Sequence, residues 1–226
     1  MHDAQQKRQD ILNSIRTDVT YALDRIYGDY ENFPWEDNQA YGNWLAQTYY
    51  YVRQATRLLA FAAARCSLEE EELHSTLLKG AKEEGGHELL ALNDLKHLGL
   101  SIDSFPELVE TAAYHQTLYY AIDHDGPASL IGYFLPLEGV AGSKMAPELA
   151  RIRKVHGDKA ASFLMVHCNL DVGHFDEGLK ELENFSVEQL LAVKSSATLS
   201  VALYRSMVAG LWRQARPQMT RLGRTG

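Results

Sequence analysis

Two pairs of a carboxylate and a histidine, each three residues apart, are the residues of this chain whose types and spacing best suit chemistry. The first pair is Glu84 and His87, and the second is Asp171 and His174, with His167 four residues before Asp171. On an α-helix these separations place His167, Asp171 and His174 within an arc of roughly 60° on one face. A carboxylate and an imidazole one turn apart can bind the same metal ion, and helix bundles with paired iron or manganese sites repeat such pairs. The pattern therefore predicts redox metal chemistry.

A third carboxylate stands alone between the two pairs. Glu138 is the only acid in the largely apolar stretch 130–145. Burying a carboxylate is costly unless it is paired or binds a metal, so Glu138 is the natural additional ligand. Mixed imidazole and carboxylate ligands suit Fe(II) and Mn(II), whereas zinc favours cysteine or fewer carboxylates in a closed tetrahedral site.

Each pair taken alone has a simpler explanation. One Glu-x-x-His pair on a helix most often belongs to a solvated face, and so short a motif carries a high false-positive risk. Two pairs with Glu138 between them are harder to explain in this way. Cys168 is turned away from the predicted ligands on a helix and is expected to be a packed thiol. Five histidines without partners at ligand spacing are expected to be surface or hydrogen-bonded residues: His74, His97, His115, His124 and His156.

Gly85 and Gly86 separate the members of the first pair, inside a predicted helix. Each glycine costs about 1 kcal/mol relative to alanine in a helix interior, so a compensating reason is expected. Two explanations compete. The glycines let another helix or a substrate approach closely, or they permit a local break that aims Glu84 and His87 at one point.

Helical periodicity extends through almost the whole chain, and strand signals are nearly absent. Apolar residues recur at three- and four-residue steps between Ile11 and Ile26, which predicts an amphipathic first helix. Capping signals, glycines and prolines predict further helices at about 38–64, 67–98, 104–123, 130–144, 158–183 and 186–216, with a break or restart at Pro147. Pro217 is expected to end the last helix and to leave a loose tail at about 218–226. We therefore predict an all-α bundle of seven or eight helices, with residues 1–226 forming a single domain.

The composition limits the classes of partner. The chain has 226 residues, of which 46% are hydrophobic, and a formal net charge of −8. This charge argues against a general binder of nucleic acids or anionic membranes, which needs a basic face. Two distant cysteines without a CxxC pair make a reducing cytoplasm the expected location. The polar N-terminus predicts no signal peptide, and the longest apolar run, residues 58–64, is too short to span a bilayer.

The order Glu-x-x-His, lone Glu and His-x3-Asp-x2-His resembles the heme-oxygenase-like dimetal oxidases and oxygenases, often described as iron-containing redox enzymes. The resemblance covers roughly residues 40–215, and the His-x3-Asp-x2-His triplet is its most specific part. It implies a heme-oxygenase-type helical fold without heme. It also implies two Fe(II) ions, or manganese, that activate O₂ to oxidise a small molecule such as an amine, an amino acid or a fatty acid. By position, it implies these metal ligands: Glu84, His87, Glu138, His167, Asp171 and His174.

One departure from the family pattern affects the second metal. The family usually supplies another carboxylate from the preceding helix, but the predicted helix 38–64 contains no acid. Gln47 and Tyr50 are the nearest polar candidates there, and Glu83 or the substrate are alternatives. We therefore expect the metal on the Glu84/His87 side to be weakly held or absent.

Substrate contacts and partners are less constrained than the metal ligands. Tyr50, Tyr133 and Lys144 are candidates for the substrate pocket. The expected partners are a small-molecule substrate and O₂, without nucleic acid or membrane, and a homodimer is the candidate assembly.

Two other functions compete with the metal oxidase. One is a metal-free enzyme or ligand-binding protein of the same fold, similar to the thiaminase-II and pyrroloquinoline-quinone synthase branches, in which these residues serve acid–base or hydrogen-bonding roles. The other, less favoured, is a binding protein with a structural metal. Metal analysis of the purified protein separates the first from the metal oxidase.

Overall fold

The computed structural model describes the backbone of residues 2–222 and the side chains of residues 5–171 and 173–215. Within this part of the chain the secondary structure is helical throughout, and no strand is present. The α-helices are α1 (His2–Tyr30), α2 (Asn38–Val52), α3 (Ala55–Arg65), α4 (Glu71–Glu83), α5 (His87–His97), α6 (Val109–His124), α7 (Ser129–Lys144), α8 (Ala146–His156), α9 (Ser162–Glu181) and α10 (Val187–Leu222). Short 3-10 turns lie at Leu68–Glu70, Ile102–Ser104, Asp158–Ala160 and Leu182–Asn184.

The all-α prediction is confirmed, with a larger number of helices than expected. Two predicted helices are each divided, one between α2 and α3 and the other between α4 and α5, so the described residues form ten α-helices. The predicted end at Pro217 is wrong, because α10 continues to Leu222. Most residues after Pro217 are good helix formers, and a helix can lose one amide hydrogen bond and continue. The rest of the predicted loose tail, residues 223–226, lies outside the described residues. The single-domain organisation stays a prediction.

Capping signals located some helix starts correctly and others incorrectly. The helix predicted from residue 158 begins only at Ser162, because Asp158–Ala160 form a 3-10 turn. Ser186 and Gln189 form a reciprocal cap at the predicted start of α10, with the Ser186 amide donating to Gln189 Oε1 at 2.9 Å and the Gln189 amide donating to Ser186 Oγ at 3.1 Å. Ser104, by contrast, ends a 3-10 turn instead of starting a helix. Helix α6 begins only at Val109, because Gln47 Oε1 on α2 accepts the amide of Leu108 at 2.9 Å and holds the preceding loop.

Helix α7 lies in the interior and packs against α1, α9 and α10. Gly132 allows this, since a Cβ atom there would collide with the Val193 carbonyl oxygen of α10. Because α7 is enclosed in this way, Glu138 enters the interior of the bundle. Helix α5 packs against α2 and α9, and α4 packs against α3. No described helix combines the length and the apolarity that crossing a bilayer requires.

Candidate metal centre

Glu84 and His87 do not share a continuous helix. Glu84 follows the last residue of α4, and His87 is the first residue of α5. Between them Gly86 has φ 96°, a left-handed conformation that favours glycine. No described atom lies within 4 Å of the place where a Cβ of Gly86 would be, so close approach is not its role. Of the two explanations for the glycines, the local break is therefore the one that the structure supports at Gly86.

The break brings Glu84 and His87 to His167 on α9. One ligand atom from each of these three residues lies within 4.8 Å of the other two, and all three side chains are half-buried. The rings of His87 and His167 meet edge to face, with 4.9 Å between their centroids. These three residues, named the histidine group below, form a cluster of a size that one metal ion could occupy.

The surroundings of the two histidine rings suit a cation. His167 Nδ1 donates to the Phe163 carbonyl oxygen at 2.8 Å, which leaves Nε2 free to bind a metal. Burial lowers the pKa of His167 and so favours the neutral imidazole that ligation needs. His87 Nδ1 is buried 3.2 Å from Glu84 Oε2, whose proximity raises the pKa of His87. The two atoms are not aligned as a hydrogen bond, and among the described residues His87 Nδ1 has no other partner. An orphaned buried nitrogen beside a carboxylate fits a site built for a metal ion.

Glu138, Asp171 and His174 form a second group, named the acid group below. Asp171 is buried, and its Oδ1 lies 3.5 Å from His174 Nδ1. Burial, followed by the charge of Glu84 and of two glutamates on α9, raises the pKa of Glu138 to about 8. Burial, followed by the charges of Glu138 and Glu84, raises the pKa of Asp171 to about 8. A divalent cation beside these carboxylates would relieve both the burial cost and the repulsion. Among the described residues, however, only the histidine group brings three ligand atoms within 4.8 Å of one another.

Two adjoining cavities share Glu84, Glu138 and Phe134 as walls. The apolar cavity, of about 70 Å³, is also reached by His167 and Asp171. The acidic cavity, of about 120 Å³, lies between α4, α7 and α9 and also includes His174. Of the six predicted ligands, only His87 lines neither cavity. It lies next to Glu84 and His167, which do line a cavity. Other residues of the apolar cavity include Trp44, Tyr51, Tyr133, Leu137 and Tyr204.

The structure places one of the three predicted substrate contacts in a cavity next to the candidate ligands. Tyr133 lines the apolar cavity. Tyr50 lies outside both cavities and donates from its hydroxyl to the Phe105 carbonyl oxygen at 3.1 Å, and the next residue, Tyr51, lines the apolar cavity instead. One residue is a rotation of 100° on a helix, which is enough to exchange the two. Lys144 is also outside the cavities and forms an ion pair with Asp24 on α1 at 2.7 Å.

Gln47 is unavailable as a replacement for the missing acid. It is fully buried, and its Oε1 accepts from the Leu108 amide at 2.9 Å and from Thr111 Oγ1 at 2.7 Å. Its Nε2 donates to Asn43 Oδ1 and to the Pro106 carbonyl oxygen, each at 3.1 Å. Every polar atom of this side chain is thus already hydrogen-bonded to α2, to α6 or to the loop before α6.

Carboxylates near the site come instead from α4 and α9. Glu83, which the sequence suggested as an alternative, lines the acidic cavity together with Glu177 and Glu181. The sequence pattern did not single out the latter two. A signal was present, because they follow His174 by three and seven residues and so continue the face that carries His167, Asp171 and His174. Together with Glu84 and Glu138 they make this cavity attractive to a divalent cation.

Solved structures with the same arrangement of helices define the class of fold. A domain of unknown function from Shewanella denitrificans with a heme oxygenase-like fold matches 91% of this chain and 93% of its own, with a TM-score of 0.78 and 22% identity. A TenA homolog from Pseudomonas syringae pv. tomato covers 89% of this chain and 92% of its own (TM-score 0.72, 14% identity). A TenA homologue from P. horikoshii covers 88% and 98% (TM-score 0.65, 14% identity). This protein therefore has a heme oxygenase-like fold.

The family follows from the sequence. The pattern of the family described as iron-containing redox enzyme (Haem_oxygenas_2) matches residues 42–205, and the chain belongs to this family. The matched residues include all six predicted ligands. No curated protein sequence matches the chain.

Proposed function

We propose that the protein is a non-heme iron oxidoreductase that uses O₂ to oxidise a small molecule. The observation that carries this proposal is the convergence of Glu84, His87 and His167, whose ligand atoms lie within 4.8 Å of one another. The membership of the iron-containing redox enzyme family supports iron as the metal, and manganese suits the same ligands.

The two groups of residues suggest two ions. Glu84, His87 and His167 would hold one ion, and Glu138, Asp171 and His174 would hold the other. Glu84 and Glu138 each line both cavities, so either carboxylate could contact both ions. Bound iron supplies the electrons and the open coordination positions that activate O₂.

The residues around the site have separate tasks in this proposal. The aromatic and aliphatic walls of the apolar cavity, including Trp44, Tyr133 and Leu137, hold the apolar part of a substrate and exclude water. The Phe163 carbonyl oxygen keeps the His167 proton on Nδ1. The carboxyl groups of Glu138 and Asp171, each with a pKa of about 8, keep protons near neutral pH in the metal-free protein. A cation displaces those protons, so metal binding is expected to release them and to strengthen as pH rises.

Anaerobic loading with Fe(II), followed by a pulse of O₂, tests this function. The expected result is close to two irons per chain by metal analysis, consumption of O₂ and a transient visible absorption band after the pulse. A chain that retains no iron under these conditions contradicts the proposal. One iron per chain would keep the oxidase function and restrict it to a single ion.

A metal-free enzyme is the second candidate, because two of the similar solved structures are TenA homologues. In that case the acids and histidines would act as proton donors and acceptors around a ligand in the apolar cavity. A cysteine nucleophile finds little support, since burial raises the pKa of the Cys168 thiol to about 11. A protein purified without metal that binds a ligand but consumes no O₂ after iron loading would favour this candidate.

A further inference from the structure

The first residues of α9 are held by a carboxylate from another helix. Asp94 on α5 is fully buried and accepts hydrogen bonds from the backbone amides of Ser162 at 3.0 Å and Phe163 at 2.9 Å. The Ser162 hydroxyl also donates to it. The residue at the N-cap position of α9 itself, Ala161, has no side chain that could cap the helix. Asp94 therefore performs from α5 the task that a Ser, Thr, Asp or Asn at the N-cap normally performs.

This arrangement places a carboxylate in the core when a simpler cap exists. A serine or threonine at position 161 would cap α9 without burying an acid. Burial raises the pKa of Asp94, while the hydrogen bonds from Ser162 and Phe163 act in the opposite direction by favouring the carboxylate. The partial positive charge at the start of α9 also favours that form. What the cap from α5 provides, and a local cap does not, is a fixed connection between two helices.

Both ends of this connection lead to a histidine of the histidine group. On α5, His87 precedes Asp94 by seven residues, so the two lie on the same face about two turns apart. At the other end, Asp94 accepts a hydrogen bond from the amide of Phe163 on α9. The carbonyl oxygen of Phe163 in turn accepts the hydrogen bond of His167 Nδ1 at 2.8 Å. The Phe163 ring also stacks on the His167 imidazole, with centroids 4.0 Å apart. One carboxylate thus links the helix that carries His87 to the residue that orients His167.

We propose that Asp94 is a positioning residue for the metal centre, which sets the place of α9 relative to α5 so that His87 and His167 meet. The metal-binding part of this inference rests on the proposed function, whereas the geometric part does not. A cap that only stabilised α9 would lower the melting temperature when removed and would leave the two rings 4.9 Å apart.

The test compares Asp94→Ala and Asp94→Asn with Asp37→Ala in the full chain. Asp37 is a matched control, because it caps α2 by accepting from the amides of Gln39 at 3.0 Å and Ala40 at 2.7 Å, and α2 carries none of the six predicted ligands. Crystal structures of the metal-free variants give the separation of the His87 and His167 rings. Titration with Co²⁺, followed by visible absorption, gives the metal affinity and the ligand geometry without any turnover.

We expect Asp94→Ala to change the ring separation by more than about 0.5 Å, the tolerance within which functional sites are held. It should also weaken Co²⁺ binding by about 10- to 100-fold, the usual effect of removing a residue that supports a metal ligand. Asp94→Asn should have a smaller effect, because its single amide oxygen still accepts one of the two backbone amides. Asp37→Ala should lower the melting temperature and change neither the ring separation nor the Co²⁺ spectrum.

Unchanged ring separation and Co²⁺ affinity in the Asp94 variants would show that Asp94 is a stabilising cap alone and would overturn the inference. Asp94→Asn, the milder change, decides the question if Asp94→Ala does not fold. A wild-type protein that binds neither Co²⁺ nor Fe²⁺ would contradict the proposed function. The ring separation in the metal-free crystals would still decide the role of Asp94.

Discussion

The histidine group and the acid group share α9 but are otherwise built in different ways. The histidine group joins the residue after α4, the first residue of α5 and the first half of α9, and its candidate ligand atoms are already close together. The acid group takes two candidate ligands from one turn of α9 and a third from α7, and its carboxyls repel each other. The sequence predicted weaker metal binding on the Glu84/His87 side, yet that side is the one the structure gathers into a three-residue cluster. A missing acid in the sequence was therefore a poor guide to how closely the remaining ligands come together.

His167→Ala should have the largest effect of the variants that distinguish the two groups, because it should weaken iron binding at the histidine group alone. It removes one of the three candidate ligands of the histidine group and leaves the acid group intact. We expect the affinity for iron at the first site to fall by at least about 100-fold, more than removing a supporting residue would cause. Fe(II) titration with metal analysis measures this, and His97→Ala, an exposed histidine near the end of α5, is the control. Equal iron binding in both variants would contradict the assignment of His167.

Gly86→Ala should have the second-largest effect, and it should weaken metal binding at the histidine group without changing a residue of the acid group. Alanine at φ 96° is strained, so we expect a loss of stability of about 1–2 kcal/mol and weaker metal binding at the histidine group. Gly173→Ala is the matched control, because Gly173 lies inside α9 with no described atom near its Cβ position. There alanine should stabilise the protein by about 0.5–1 kcal/mol. Thermal melts with and without metal measure both stability changes. A change of the same sign in the two variants would contradict the local break as the role of Gly86.

Glu138→Gln should have opposite effects on the metal-free protein and on metal binding. The pKa of Glu138 is raised from 4.5 to about 8, so its contribution to stability is fully present below about pH 4.5 and is lost as pH rises to about 8. The metal-free wild type should therefore lose stability over this range, and a glutamine, which does not titrate, should remove part of the loss. We expect a gain of about 1–2 kcal/mol at pH 8, or several degrees in melting temperature, together with loss of a metal.

Thermal melts in chelator at pH 5 and pH 8 measure the effect of Glu138→Gln. Glu31→Gln, a change of an exposed glutamate after α1, is the control and should leave the pH dependence as in the wild type. If Glu138→Gln instead lowers the stability of the metal-free protein at pH 8, the carboxyl of Glu138 stabilises the fold. The repulsion that distinguishes the acid group from the histidine group would then be smaller than proposed.

Tyr50→Phe should have the smallest effect and tests the boundary of the site. The Tyr50 hydroxyl bonds to the loop carbonyl of Phe105 outside both cavities, so its removal should cost about 1 kcal/mol or less. Iron binding and O₂ consumption should stay as in the wild type. Tyr133→Phe, a change of a wall residue of the apolar cavity, is the comparison and should alter substrate-dependent O₂ consumption. An effect of Tyr50→Phe as large as that of Tyr133→Phe would mean that the substrate pocket extends further along α2.

The parts of the fold that the sequence predicted are those with local causes. Helix α7 was expected at 130–144 and lies at Ser129–Lys144, because an apolar run between a turn and Pro147 has few alternatives. The division between α4 and α5 was an open alternative, since the free energy of two glycines can be offset either by a break or by close packing. The start of α6 was misplaced, because it depends on Gln47, which is about sixty residues away in the chain. Tyr50 and Lys144 were misplaced for a similar reason: which face of a helix meets a cavity depends on the neighbouring helices.

The sequence by itself determined the helical class, the family and the six residues that are candidate ligands, because periodicity and motif spacing are properties of the chain alone. The tertiary structure decided that Glu84, His87 and His167 meet, since their positions depend on the left-handed Gly86 and on the packing of α5 against α9. It also decided that Gln47 is engaged elsewhere, that Glu177 and Glu181 face the acidic cavity, and that Asp94 caps α9. Contacts between residues distant in sequence depend on how the helices pack in three dimensions, and a short sequence motif does not encode that packing.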